Sequence, residues 1–138
     1  LALGGAASIN RADLTPGLDW FPEETISLAE AARVCMAGPA DVMLTHDAPT
    51  GVPLKYMDPP PSFWAEADLE RSERHRDLMR SIVNEIEPAY FIHGHYHQGS
   101  ARWREVIMPH AQMKVATLHM DGDPGNWGIL NVKTMEWA

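Results

Sequence analysis

The sequence predicts an α/β fold, in which a mixed β-sheet is flanked by helices within one domain over residues 1–138. Three observations lead to this class. Short apolar runs at 41–45 and 89–93 each predict a buried strand. A segment of helical periodicity at about 65–86 lies between them, as expected for alternating strands and helices. Hydrophobic residues make up 45% of the chain, which is enough for a core at this length.

The first forty residues predict a short strand, a turn and a helix. Residues 1–9 form the candidate strand, interrupted by Gly4-Gly5, and Thr15-Pro16-Gly17 predicts the turn. Pro22-Glu23-Glu24 predicts a helix start, because proline suits the first turn and the helix dipole favours acidic residues there. Gly38-Pro39 ends this helix.

Residues 48–63 are rich in proline, which predicts a long irregular segment that either covers a site or is only a surface loop. In the following helix, the charge-rich stretch Glu70–Asp77 predicts a solvated face, and His75 is expected to be a surface or a satisfied core residue rather than a ligand. The same helix carries an apolar stripe that predicts the core contact, formed by Leu69, Leu78, Met79, Ile82, Val83 and Ile86.

The remainder of the chain predicts three further strands, at 103–108, 114–119 and 127–133. The last two are separated by a turn-rich connector over residues 121–126.

Histidines follow both central strands. His46 comes directly after the strand at 41–45, and Gly94-His95-Tyr96-His97 follows the strand at 89–93. In an α/β sheet the carboxyl ends of the strands gather ligands, and neutral imidazole is a common ligand of divalent transition metals. The pattern therefore predicts His46, His95 and His97 as ligands of a metal centre.

Four further residues are considered for a role in such a site. Asp47 either orients His46 by a hydrogen bond or caps the loop after its strand. Arg11 either binds a substrate phosphate or forms a surface salt bridge. His93 is not assigned as a ligand, because the glycine after it leaves its direction undetermined. Cys35 lies in an apolar stretch and is predicted to act as a small hydrophobic residue.

These motifs resemble those of the calcineurin-like metallophosphoesterases. Gly94-His95-Tyr96-His97 resembles the family's terminal Gly-His-x-His block, and Thr45-His46-Asp47-Ala48-Pro49 resembles the histidine block before it. The stretch from Gly4 to Arg11 is similar to the glycine-rich strand between the two halves of many bacterial and phage members. The likeness covers most of this chain and about half of the family's domain. It implies that the chain is the carboxyl-terminal half of an αββα sandwich.

The resemblance also implies hydrolysis of a phosphodiester or phosphomonoester by a metal-bound hydroxide. A complete site holds two divalent ions (Mn, Fe or Zn); His46 and His95 would bind one and His97 the other. The family's Asp-x-His, Gly-Asp and Gly-Asn-His-Asp/Glu blocks do not occur here. We therefore expect this chain alone to hold one ion or none and to show little turnover without an amino-terminal half.

Three explanations of the missing blocks are open: truncation of a longer enzyme, a separate amino-terminal piece, or a half-fold with altered function. The last one predicts a non-catalytic interaction or oligomerisation module, because half of a sandwich exposes an apolar face and strand edges. A third function class is a mononuclear zinc hydrolase that uses the three histidines and keeps an open coordination position.

The composition narrows the expected partners. A net charge of −8 with 11 Lys and Arg argues against a general nucleic-acid-binding surface. The resemblance implies a phosphorylated substrate, and the acidic charge favours a small molecule or nucleotide over a long polyanion. The single cysteine excludes an internal disulfide and favours a cytoplasmic location. No stretch approaches the roughly 18 apolar residues that a membrane span requires, and no signal peptide is evident.

Overall fold

The computed structural model describes residues 1–55, 57, 59–99, 102–108 and 111–137. Its main sheet contains β1 (Ala2–Leu3), β2 (Val42–Thr45), β3 (Tyr90–His93), β4 (Arg104–Met108) and β5 (Ala111–Thr117). The strand order is β1-β2-β3-β5-β4. The first four strands in this order pair in parallel, and β4 pairs with β5 antiparallel. The predicted α/β class with a mixed sheet is confirmed.

The three central strands share one buried face. Met43 of β2 lies in register with Phe91 of β3, which lies in register with Val115 of β5. All three side chains are fully buried. Because alternate residues of a strand point to opposite faces, this row defines the side of the sheet on which the core is built.

The first α-helix, α1 (Leu28–Cys35), begins later than predicted. Pro22–Glu24 forms a separate 3₁₀ turn, after which the chain is extended. Ser27 caps α1: its Oγ accepts the Glu30 N–H at 3.2 Å, and the Glu30 carboxylate accepts the Ser27 N–H at 2.9 Å. This capping box satisfies two free donors at once, so it determines the helix start rather than the proline.

The second helix, α2 (Glu66–Ile86), confirms the predicted long helix between β2 and β3. Met79, Ile82, Val83 and Ile86 of its apolar stripe are buried in the same cluster as Met43 and Phe91. The prediction that Glu70–Asp77 is a solvated face is wrong for three residues of α2. These are Ser72, His75 and Arg76, which are buried.

The ends of the chain are less regular than predicted. The candidate strand at 1–9 is reduced to β1, and β5 starts and ends earlier than the predicted 114–119. Instead of one strand at 127–133, two-residue strands β6 (Leu130–Asn131) and β7 (Glu136–Trp137) pair antiparallel. In the predicted turn before them, the Asn126 N–H donates to the Asp123 carbonyl at 3.2 Å.

The proline-rich segment 48–63 contains neither helix nor strand among its described residues; residues 56 and 58 lie outside them. None of the helices in the described ranges combines the length and apolar character that crossing a bilayer requires.

Candidate metal centre

The structure brings His46 and His95 together at one edge of the sheet. Because β2 and β3 are adjacent and parallel, the segments that follow them leave the sheet side by side. The Gly94 N–H donates to the His46 carbonyl at 3.2 Å and so joins these two segments. Nε2 of His46 and Nδ1 of His95 lie 3.2 Å apart, with the ring planes inclined at 62°.

As they stand the two rings are hydrogen-bonded, and the distance between their nitrogens also fits two ligands of one metal ion. With Zn–N bonds of about 2.0–2.1 Å and tetrahedral geometry, two ligand nitrogens lie about 3.3 Å apart. The other ring nitrogen of His95, Nε2, donates to the Ala7 carbonyl at 3.2 Å. This bond places the proton on Nε2, which leaves the Nδ1 lone pair directed toward His46.

The electrostatic surroundings keep His95 in the form that binds metals. Burial lowers the pKa of His95, and the neighbouring His46 lowers it further, while Asp47 opposes both effects. A neutral imidazole at neutral pH can coordinate an ion without first losing a proton.

His97 does not join the pair. In the ranges that the structure describes, no three His, Cys, Asp or Glu side chains gather closely enough to hold an ion. His97 is exposed and lines the same cavity as His95. Both residues have positive φ angles, 67° for His95 and 51° for His97. Such angles are uncommon for residues with a side chain, and they end the strand alternation that would have aligned the two rings.

A buried network behind the pair was not predicted from the sequence. The Asp47 carboxylate, which is fully buried, accepts hydrogen bonds from His75 Nδ1 at 2.6 Å, from Tyr96 OH at 2.6 Å and from the Ala48 N–H at 2.7 Å. The Ile26 N–H donates to His75 Nε2 at 3.1 Å, which places the proton of this ring on Nδ1.

The network keeps Asp47 ionised inside the protein. Burial raises the pKa of Asp47, but the hydrogen bonds from His75 and Tyr96 outweigh it, and the pKa lies below the ordinary value. The bond to Ala48 agrees with the predicted role of Asp47 in capping its loop. His75 is a satisfied core residue, one of the two alternatives that its sequence position left open, and its buried ring connects α2 to this carboxylate.

The next residue of α2, Arg76, organises the loop after β2. Its guanidinium donates to the carbonyls of Ala48, Pro49 and Val52 at 3.2–3.3 Å. The Thr50 N–H in turn donates to the Arg76 carbonyl at 3.1 Å. One signal for both buried residues was present in the sequence: Ser72, His75, Arg76 and Met79 continue the helical spacing of the apolar stripe.

A cavity of about 680 Å³ opens beside His95. Its walls carry three aromatic residues, two side-chain amides and two histidines: Phe63, Trp64, Tyr96, Asn10, Gln98, His95 and His97. Such a volume suits a small organic ligand, since ligand pockets measure roughly 300–1,000 Å³.

Arg11 forms an ion pair, one of the two alternatives that its sequence position left open. Its Nε lies 2.7 Å from Oδ1 of Asp68, whose side chain is 1% exposed. The guanidinium also lies 5.6 Å from the centre of the Trp20 ring. The predicted contact with a substrate phosphate stays a prediction.

No protein-family model, curated protein or solved structure matches the chain.

Proposed function

We propose that this chain supplies the second half of the metal site of a metal-dependent phosphoesterase, in which His46 and His95 bind one divalent ion. The observation that carries the proposal is the separation of 3.2 Å between His46 Nε2 and His95 Nδ1. It matches the spacing of two imidazole ligands on one ion. The resemblance of the two histidine blocks to those of calcineurin-like metallophosphoesterases supports it as well.

A bound divalent ion would polarise a phosphoryl oxygen and lower the pKa of a coordinated water toward neutrality. On this side of the site, the chain's own groups bind the ion and hold the ligand protons away from it. His46 and His95 offer two imidazole nitrogens, and the Ala7 carbonyl holds the proton of His95 away from the ion. In this proposal His97 binds the second ion of a complete site. Carboxylate ligands are then supplied from outside this chain.

The cavity supports a phosphorylated small molecule or nucleotide as the substrate. His95 and His97 lie in its wall, where the phosphoryl group would bind near the ion. Phe63 and Trp64 offer aromatic surface for the organic part, and their rings pack edge to face with centroids 5.3 Å apart. Flat apolar groups pack well on such surfaces.

Phosphate binding that depends on metal tests this proposal without requiring turnover. Isothermal titration calorimetry would measure inorganic phosphate and phenyl phosphate binding to the chain with and without Zn²⁺. We expect both ligands to bind only in the presence of zinc, and His95→Ala to abolish that binding. His119→Ala is the matched control, because His119 bonds to Asp123 and not to the pair. Binding that is equal with and without zinc, or that survives in His95→Ala, would contradict the proposal.

A second candidate function, self-association, is favoured by a different observation. On the sheet face opposite the core, Leu44 of β2 is 45% exposed and Ile107 of β4 is 76% exposed. Exposed apolar side chains on a sheet face are typical of interaction surfaces. Sedimentation velocity over a range of concentrations tests this candidate. A dimer that dissociates in Leu44→Glu supports it, whereas a monomer at every concentration rejects it.

A further inference from the structure

The residues that directly follow the two proposed ligands are bonded to each other. Asp47 follows His46, and Tyr96 follows His95. The Tyr96 hydroxyl donates to Oδ1 of Asp47 at 2.6 Å, and both side chains are buried. A short bond to an ionised acceptor in a buried environment is among the stronger hydrogen bonds in proteins.

Each end of this bond is held independently. Asp47 also accepts hydrogen bonds from His75 on α2 and from the Ala48 N–H, so three donors together fix the position of its carboxylate. The Tyr96 ring packs edge to face on the His95 ring, with centroids 4.7 Å apart. The Arg76 guanidinium lies 5.8 Å from the centre of the Tyr96 ring. The core of the protein thus determines where both segments leave the sheet.

We propose that Asp47 and Tyr96 are positioning residues, whose hydrogen bond holds the His46 and His95 rings at the separation that one metal ion requires. The hydroxyl acts on His95 through the Tyr96 ring, and the carboxylate acts on His46 through the backbone. The consequence for metal affinity rests on the proposed function. Groups behind metal ligands orient them, and their loss typically weakens metal binding by about 10-fold to 100-fold.

Tyr96→Phe removes only the hydroxyl and so isolates this bond. Tyr90→Phe is the matched control, since it makes the same chemical change on β3 while leaving the pair untouched. Zn²⁺ affinity would be measured by competition with a chromophoric chelator. We expect Tyr96→Phe to bind zinc about 10-fold more weakly than the natural sequence and Tyr90→Phe to bind it equally well.

A second measurement on metal-free protein separates positioning from general stability. Nuclear Overhauser effects between the His46 and His95 rings report their proximity directly. We expect these effects in the natural sequence and in Tyr90→Phe, and a clear loss in Tyr96→Phe. Ile82→Val, which loosens the core away from the pair, should lose stability while keeping both the ring contact and the zinc affinity.

The outcomes distinguish the two proposals. Unchanged ring contacts in Tyr96→Phe overturn the positioning role, whatever the metal result. A natural sequence that binds no zinc, with ring contacts that still depend on the Tyr96 hydroxyl, overturns the metal site and retains the positioning role. If Tyr96→Phe does not fold, Asp47→Asn replaces it, because it keeps the size of the side chain and weakens the bond by replacing a charged acceptor oxygen with an amide oxygen.

Discussion

His75 donates through Nδ1 to Asp47 at 2.6 Å, and this buried bond joins the middle of α2 to the residue that follows His46. The next residue of the helix, Arg76, holds three carbonyls of the same loop. The candidate site is therefore built on a helix that is itself part of the core. Sites supported in this way keep the positions of their ligands better than sites on free loops.

Stability should fall in mild acid because of His93. Burial lowers the pKa of His93 from 6.5 to about 4, and its Nε2 lies 3.0 Å from the Thr117 hydroxyl. Between these two values the unfolded chain binds a proton that the folded chain does not, so stability decreases as pH falls through this window. We expect a loss of about 2 kcal/mol between pH 7.5 and pH 5 from this residue.

Urea unfolding at the two pH values, with a chelator present, measures this effect. His93→Gln should show a smaller pH dependence than the natural sequence, since it has no group that titrates here. An identical loss in both proteins would assign the effect to other residues.

Phe91 has the largest side chain among the fully buried residues of the described ranges, and its replacement tests the assignment of the core. Phe91→Ala should lower the free energy of unfolding by about 3–5 kcal/mol, because it removes buried surface and leaves a cavity. Phe63→Ala is the control, as the Phe63 side chain is 79% exposed and should change stability little. Chemical denaturation of both variants checks this, and comparable losses would mean that the core is misassigned.

The loop after β2 requires a glycine at position 51 for two reasons. Gly51 has a φ of +95°, and a Cβ there would lie 2.8 Å from the Met108 sulfur. Gly122, with a φ of +84°, has no neighbour within 4 Å of such a Cβ. Gly122→Ala should therefore cost about 1 kcal/mol from backbone strain alone, and Gly51→Ala about 2–3 kcal/mol from strain and overpacking. Equal thermal stabilities of the two variants would contradict the contact with Met108.

Arg11→Ala should lower stability by about 1 kcal/mol, because it leaves the buried Asp68 carboxylate with the Ala12 N–H as its remaining donor in this contact. Arg74→Ala is the control, since its ion pair with Glu70 is exposed on both sides. The same variants decide the role of Arg11 toward substrate. Phosphate affinity that falls in Arg11→Ala while the fold persists would support a direct contact, and unchanged affinity would restrict Arg11 to its ion pair.

The parts of the fold with strong patterns were predicted from the sequence. The strands β2 and β3 and the helix α2 have apolar residues at the spacing that their structures require, and they deliver His46 and His95 to one edge of the sheet. The prediction of one strand over 127–133 is wrong because it took Trp127, Ile129 and Val132 as buried, whereas these apolar side chains are exposed. The spacing of apolar residues along a segment does not show whether another part of the protein packs on them.

The details of the site could not be predicted, because they depend on contacts between distant segments. The separation of His46 and His95 depends on the parallel pairing of β2 and β3, and the direction of His97 depends on positive φ angles after Gly94. His75 lies among charged residues, and its burial follows only once the loop after β2 packs on α2.

The most direct test of the account is the metal content of the chain, measured by elemental mass spectrometry after incubation with Zn²⁺ and removal of unbound metal. We expect about one zinc ion per chain for the natural sequence and for His119→Ala, and almost none for His46→Ala or His95→Ala. A natural sequence without zinc, or a His46→Ala variant that retains it, would contradict the claim that these two histidines form a metal site.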